Sequence, residues 1–194
     1  MMHSLERYFN ESDEYQLSDD WALSLVKKVK EAVLKVEENP EDYNARATLM
    51  LSSSLSHNNL TGLGKIAPFV VHPIEHGISG YKPDIAHGAG IALVYPAWAS
   101  YVYKEDIEKF ANLTRFVFNK SSESEEETAI IGIRLMKELF ISLGMPSSLK
   151  DVGLSKNDIL PIADLVTDNG TRVIGRYPKS LNQEDIKEIL SSLL

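Results

Sequence analysis

Apolar residues recur with the three- and four-residue spacing of helices along most of the chain, and the alternation typical of strands is nearly absent. The clearest case follows Ser18, a residue type that commonly caps helices, and ends at Asn39-Pro40. One face of this predicted helix carries an apolar stripe of Trp21, Leu25, Val29, Ala32 and Val36. We expect this stripe, Trp21 included, to pack into the core.

A second helix is predicted from Glu41 to about Leu55, followed by a loop rich in asparagine and glycine. The apolar residues expected to face inward are Tyr43, Ala47, Met50 and Leu51. Helical spacing returns in two later segments, and the second of these ends at Gly144 with Pro146 behind it. Their apolar residues are Ile107, Phe110, Leu113 and Val117 in the first, and Ile130, Ile133, Leu135 and Leu139 in the second.

Two further helices have start signals of the capping-box type, in which residues three apart satisfy each other's backbone N–H groups. Ser155 with Asp158 precedes one helix, and Asn182 with Asp185 precedes the other. The run 171–174 has some strand character, but we do not predict a strand there. The expected fold class is all-α, a helical bundle that spans residues 1–194 as a single domain.

The segment from Ile85 to Tyr103 contains no Asp, Glu, Lys or Arg and is long enough to raise the question of a membrane span. It also contains His87, two glycines and Pro96, and a proline in the middle of a segment disrupts a helix. We therefore predict a buried helix followed by a kinked second segment, not a transmembrane helix.

Composition excludes several classes of protein and of site. The net charge of −8 argues against a nucleic-acid partner, because phosphate binding requires clustered Lys and Arg. The chain has no cysteine, which excludes disulfides and thiolate metal sites and fits a reducing compartment. The charged side chains within residues 1–9 do not fit a signal peptide. We expect a cytoplasmic protein that makes no membrane contact.

Three of the five histidines lie between positions 72 and 87. His72 and His76 are four residues apart, so both rings share one helix face if His72 starts the helix, and Pro73 suits a first turn. His87 is followed by Gly88 and Gly90, which leave room for a ligand or another backbone to approach. Several neutral imidazoles that converge in an apolar environment are what a zinc or iron(II) site requires.

Spacing alone leaves a second interpretation open, in which these histidines are unrelated core or surface residues. Two histidines four residues apart are common by chance, and the order His-Pro-Ile-Glu-His is not the zinc-protease motif. His57 lies in a polar stretch that favours a loop or a helix end. Glu6 is three residues from His3, where it fits either a place beside the site or a surface salt bridge.

Longer motifs carry a more specific signal. They include His3-Ser-Leu-Glu-Arg-Tyr-Phe9, Gly62-Leu-Gly-Lys65, His72-Pro-Ile-Glu-His76, Asp84-Ile-Ala-His-Gly88 and Gly144-Met-Pro146. In this order they resemble the iron-containing alcohol dehydrogenases, and the butanol-dehydrogenase branch in particular. The resemblance extends over essentially the whole chain.

Members of that family have an N-terminal nucleotide-binding α/β domain and a C-terminal helical domain, and this chain resembles the second. The resemblance implies that His3, His72 and His87 ligate the active-site metal, Fe(II) or Zn(II), together with an aspartate. It also implies that His76 lies beside the metal and the nicotinamide as a candidate for proton transfer. The reaction implied is hydride transfer between a small alcohol or aldehyde and NAD(P), with the metal as Lewis acid.

Two parts of the family pattern are not found in this sequence. The aspartate ligand would fall four residues before His3, ahead of Met1, and the nucleotide-binding domain is absent as well. We therefore expect negligible dehydrogenase activity from the isolated chain, and NAD(P) binding only when the missing domain is supplied, for example in trans.

Removal of that domain should expose apolar surface, so a homo-oligomer is expected. Two alternatives to a dehydrogenase domain stay open. One is a non-catalytic helical module that binds metal or a partner, and the other is a purely structural bundle with incidental histidines.

Overall fold

The computed structural model describes residues 1–11, 14–67 and 69–194. Nine α-helices lie within these residues: α1 (Met2–Tyr8), α2 (Gln16–Glu38), α3 (Tyr43–His57), α4 (Val71–Tyr81), α5 (His87–Val102), α6 (Ile107–Leu113), α7 (Glu125–Ser142), α8 (Ile159–Thr167) and α9 (Gln183–Ser191). The described ranges contain no strand, and an isolated bridge between Ile174 and Leu181 is their only β feature. The all-α expectation is confirmed.

Local sequence signals set several helix ends as expected. Both predicted capping boxes form, with Ser155 and Asp158 ahead of α8 and with Asn182 and Asp185 at the start of α9. Gly144 follows the end of α7 with a φ of +74°, a conformation that glycine adopts without strain. The capping interactions therefore fix where these helices begin and end.

The start predicted for α2 is wrong. The helix begins at Gln16, so Ser18 lies inside the first turn and not at the cap. The Ser18 hydroxyl is 3.0 Å from the carbonyl oxygen of Tyr15 and 3.2 Å from that of Leu63. Ser18 is buried because it ties α2 to the turn after α3, a tertiary role that its sequence neighbours do not reveal.

The predicted buried helix is confirmed, but the predicted division into two segments at Pro96 is wrong, because α5 continues through this proline as one helix. Proline removes one backbone N–H from the helix. The Ser100 hydroxyl donates to the Pro96 carbonyl oxygen at 2.8 Å, one turn later. α5 packs against α4, α7 and α9, and this surrounding contact holds an element that local propensity alone would break.

The residues expected to face inward on α3 face solvent. Tyr43 is 81% exposed, Met50 77% and Leu51 61%, and Ala47 is exposed as well. The buried residues of α3 are small: Ala45, Ser52 and Ser56. They allow a close approach to α1 and α2, so the contact is made by the less hydrophobic face.

The expectation that Trp21 packs into the core is wrong, because α2 buries the adjoining face. Trp21 is 37% exposed, whereas Ala22, Leu23 and Val26 on the adjoining face of α2 are buried against their neighbours. Trp98 of α5, in contrast, is 1% exposed and lies in the core. A helical period identifies an apolar stripe, but the partners decide which side of that stripe is covered.

An aromatic group lies at the centre of the core and anchors α1. The Phe9 ring lies 4.5 Å from that of Phe110 and 5.3 Å from that of Trp98, measured between ring centroids. The Tyr8 hydroxyl donates to the Lys109 carbonyl oxygen at 2.8 Å. These contacts hold α1 against α5 and α6, and so fix the position of the histidine at the start of α1.

No helix in the described part of the chain combines the length and the apolar character that crossing a bilayer requires.

Candidate metal centre

The five histidine rings form one continuous cluster. In terms of ring centroids, His57 lies 4.3 Å from His3, His3 lies 4.3 Å from His72, and His72 lies 5.4 Å from His87. His76 is 5.4 Å from His87 and 6.2 Å from His72. The rings come from α1, the end of α3, the first two turns of α4 and the start of α5. Residues far apart in sequence therefore meet at one place.

His72 occupies the centre of this cluster and is buried. Its Nδ1 contacts Oε2 of Glu6, which reaches it from α1. The other Glu6 oxygen, Oε1, accepts the backbone N–H groups of Val70 and Val71 at 2.5 and 2.6 Å. Glu6 thus satisfies the start of α4, where N–H groups lack helical partners, and fixes the His72 ring in the same step.

His87 has a corresponding carboxylate partner. Its Nδ1 contacts Oε2 of Glu75, a fully buried residue of α4. Gly90 of α5 provides the space, because a Cβ at this position would come within 2.7 Å of the Glu75 Cγ atom. The room that Gly90 leaves is therefore filled by the carboxylate that orients His87.

His3 is suited to the neutral state that metal ligation requires. Burial, together with the nearby His72 and His57 rings, lowers the pKa of His3 from 6.5 to about 4. His3 is therefore uncharged at neutral pH, and its ring can act as a nitrogen donor.

Among the described residues, the group whose potential ligand atoms converge overlaps the predicted ligand set only at His87. The potential ligand atoms of Glu75, His76 and His87 all lie within 4.8 Å of one another. This group contains His87 but neither His3 nor His72. Because Nδ1 of His87 is engaged by Glu75, its Nε2, on the other side of the ring, is the nitrogen left for a cation. The His76 ring is exposed and lies nearly parallel to that of His87, at an interplanar angle of 30°.

Two buried polar atoms in the cluster have no hydrogen-bond partner, Nε2 of His72 and Oε1 of Glu75. An unsatisfied buried donor or acceptor costs about 1–3 kcal/mol. A cation bound at Nε2 would remove that cost for His72, since Nδ1 is already engaged and a neutral ring then has its lone pair on Nε2. The donor set thus fits a divalent cation of the zinc or iron(II) type.

Sequence reasoning missed three residues of this cluster. The prediction of a loop or helix end for His57 is confirmed, since His57 is the last residue of α3, but the contact between its ring and that of His3 was not predicted. The Phe69 ring lies almost perpendicular to that of His72, with centroids 5.2 Å apart. Glu75 had a usable signal, since it is a charged residue among the apolar residues of α4. His57 had none, because its approach depends on the hydrogen bond between Ser4 and Ser56 that joins α1 to α3.

The position of Glu6 was left open between a surface salt bridge and a place beside the site. The structure decides for the second, because Glu6 is buried and contacts His72.

Together, the fold and the cluster define an all-α domain with a histidine-rich centre that suits a divalent cation. The sequence profile described as "Fe-containing alcohol dehydrogenase family, C-terminal" matches residues 1–194. The chain belongs to the iron-containing alcohol dehydrogenase family, and it corresponds to the C-terminal helical domain.

Similar proteins support this assignment. The chain is 34% identical over 191 residues to the NADH-dependent butanol dehydrogenase A of Clostridium acetobutylicum, which covers 97% of this chain and 49% of that protein. It is 31% identical to the probable NADH-dependent butanol dehydrogenase 1 of Bacillus subtilis, covering 100% of this chain and 50% of that one.

A solved structure gives the same result. The NADH-dependent butanol dehydrogenase A of Thermotoga maritima superposes with a TM-score of 0.89 at 34% identity, over 99% of this chain and 49% of that one. This chain thus spans about half the length of the relatives that it matches.

Proposed function

We propose that residues 1–194 are the metal-binding half of an NAD(P)-dependent alcohol dehydrogenase of the butanol-dehydrogenase type. The reaction is reversible hydride transfer between a small alcohol or aldehyde and NAD(P). One observation carries the proposal: His72, whose buried Nε2 has no hydrogen-bond partner, has the His3 ring 4.3 Å and the His87 ring 5.4 Å from its own ring, measured between centroids. The similarity to butanol dehydrogenases supports the substrate class.

His3, His72 and His87 are the residues that would hold the cation, as Fe(II) or Zn(II). A bound cation would supply Lewis-acid chemistry at the oxygen of the alcohol or aldehyde. The chain's own contribution is placement. Glu6 and Glu75 hold two of the rings, and the lowered pKa of His3 keeps the third ring neutral.

His76 is the residue that we propose for proton transfer. Its ring is exposed beside His87, so it can exchange protons with solvent while it faces the cluster. Phe69, on the other side of His72, is apolar and limits the access of water to that ring. The site is therefore open to solvent on the side of His76 and shielded from solvent on the side of Phe69.

The nicotinamide cofactor would be held by the half of the relatives that this chain does not match. We therefore propose that the chain acts together with a nucleotide-binding domain and has negligible dehydrogenase activity alone. The partner domain would also provide the aspartate that joins the three histidines.

A chimera tests this proposal. The unmatched half of the C. acetobutylicum enzyme is joined ahead of Met1, and butanol-dependent NADH formation is recorded. We expect activity from the chimera, a loss of at least about tenfold on His72→Ala, and no activity from the chain alone. Robust butanol oxidation by the chain alone contradicts the need for a partner domain. A folded but inactive chimera favours a non-catalytic metal-binding module.

A further inference from the structure

Two of the histidines in the cluster are each paired with a buried carboxylate through Nδ1. Glu6 reaches His72 from α1, and Glu75 reaches His87 from within α4. Both carboxylates are almost completely excluded from solvent. A histidine that donates one ring N–H to a carboxylate presents the other nitrogen as a lone-pair donor, which fixes both the tautomer and the ring orientation.

The surroundings of Glu6 engage both of its carboxylate oxygens in hydrogen bonds. Its Oε1 accepts two backbone N–H groups, from Val70 and Val71, so this oxygen must be an acceptor. The remaining oxygen, Oε2, faces Nδ1 of His72. When Glu6 is a carboxylate, both of its oxygens accept hydrogen bonds, and the proton between Oε2 and the His72 ring then lies on Nδ1. Nε2, the buried atom without a partner, is then the free donor atom.

The surroundings of Glu75 are less restrictive. Oε2 faces Nδ1 of His87, while Oε1 is buried without a partner against α5 at Gly90. No hydrogen-bond donor contacts Oε1, so the atom at this position does not have to be an acceptor. An amide in place of this carboxylate could therefore turn its carbonyl towards His87 and place its NH₂ group on the other side.

We propose that Glu6 and Glu75 are positioning residues that hold neutral His72 and His87 as Nδ1–H tautomers, so that both rings offer Nε2 to one cation. This inference rests on the proposed function, since it concerns the same cluster. It adds that the orientation of two ligands is fixed within this chain, by carboxylates that contact Nδ1 of each ring.

The difference between the two carboxylates provides the test. In Glu6→Gln the amide carbonyl oxygen must take the place of Oε1, because only an oxygen can accept the backbone N–H groups. The NH₂ group then faces His72 and becomes the hydrogen-bond donor. Nδ1 must then accept, the proton moves to Nε2, and the ring can no longer ligate. Glu75→Gln is the matched control because its amide can keep the original tautomer, and Glu75→Leu removes the acceptor altogether.

Two measurements report the outcome: imidazole ¹⁵N shifts of the metal-free chain at a pH where the rings are neutral, and titration with Zn(II) alone. We expect Nδ1–H tautomers at both histidines in the wild type and an Nε2–H tautomer at His72 in Glu6→Gln alone. We expect Zn(II) affinity to fall about 10- to 100-fold in Glu6→Gln and in Glu75→Leu, and to fall less in Glu75→Gln.

The inference is overturned if His72 keeps its Nδ1–H tautomer in Glu6→Gln, or if that variant binds Zn(II) as the wild type does. Failure of the proposed function has a different result. A wild-type chain that does not bind Zn(II) rejects the proposed function, while the tautomers of the metal-free chain still decide the roles of Glu6 and Glu75.

Discussion

Gly90 lets α5 pass close to the buried side chain of Glu75. A Cβ at position 90 would lie 2.7 Å from the Glu75 Cγ atom and 2.9 Å from its Oε1. Glu75 is fully buried, so it cannot swing aside into solvent. We predict that Gly90→Ala destabilises the fold by about 1–3 kcal/mol, the usual cost of overpacking, as measured by urea unfolding.

Gly88 is the matched control for this substitution. It lies in the same first turn of α5, but a Cβ there meets no atom within 4 Å. Because alanine favours a helix over glycine, Gly88→Ala should be neutral or should stabilise the fold by up to about 1 kcal/mol. Equal effects from the two alanines would contradict the role given to the Glu75 contact.

The site could be predicted from the sequence only where a residue belongs to a recognisable motif. His3, His72, His76 and His87 stand in such motifs, and the structure brings their rings into one cluster. The assignment of three of them as ligands stays a prediction. The approach of His57 depends on how α3 packs against α1, which no local pattern of residues encodes.

The start of α9 joins three elements through one carboxylate. Asp185 accepts hydrogen bonds from the Tyr101 hydroxyl at 2.6 Å, from Lys179 at 2.9 Å and from the Asn182 backbone N–H at 2.8 Å. Burial alone would raise the pKa of Asp185. These hydrogen bonds outweigh burial and hold that pKa below its ordinary value of 3.8.

A lowered carboxyl pKa stabilises the fold above the ordinary value, and this contribution disappears as the pH falls through the folded-state pKa. We predict that Asp185→Asn costs about 1–3 kcal/mol at neutral pH and that the difference from wild type vanishes in the acid range below pH 3.8. Urea unfolding across pH measures it. The exposed neighbour Glu184→Gln should show little effect, and a pH-independent loss in Asp185→Asn would contradict the account.

The positions of the helices could be predicted from the sequence more reliably than the faces that the helices bury. The capping boxes at Ser155 and Asn182 form as predicted because they involve neighbours along the chain. The inward face of α3 was wrong because this helix packs against α1 and α2 with its small residues Ala45, Ser52 and Ser56 buried. Continuity of α5 through Pro96 was missed for the same reason, since packing from several sides outweighs a local penalty.

At the scale of the whole molecule, α3 leaves an apolar face uncovered. Tyr43, Met50 and Leu51 are all more than half exposed. We predict that the chain self-associates with a mass above 21.7 kDa in light scattering, and that a Met50→Gln, Leu51→Gln variant stays closer to that mass. Leu165→Gln, which alters an exposed leucine on α8, is the control. The prediction fails if the wild type is monomeric, or if the control acts as the double variant does.

The central claim is that histidines from α1, α4 and α5 meet around one cation, with His72 in the middle. The most direct measurement is the Zn(II) stoichiometry and affinity of the purified chain, of His72→Ala and of His57→Ala. We predict about one bound Zn(II) per chain in the wild type and in His57→Ala, and a loss of binding in His72→Ala. Unchanged Zn(II) binding in His72→Ala would contradict the account.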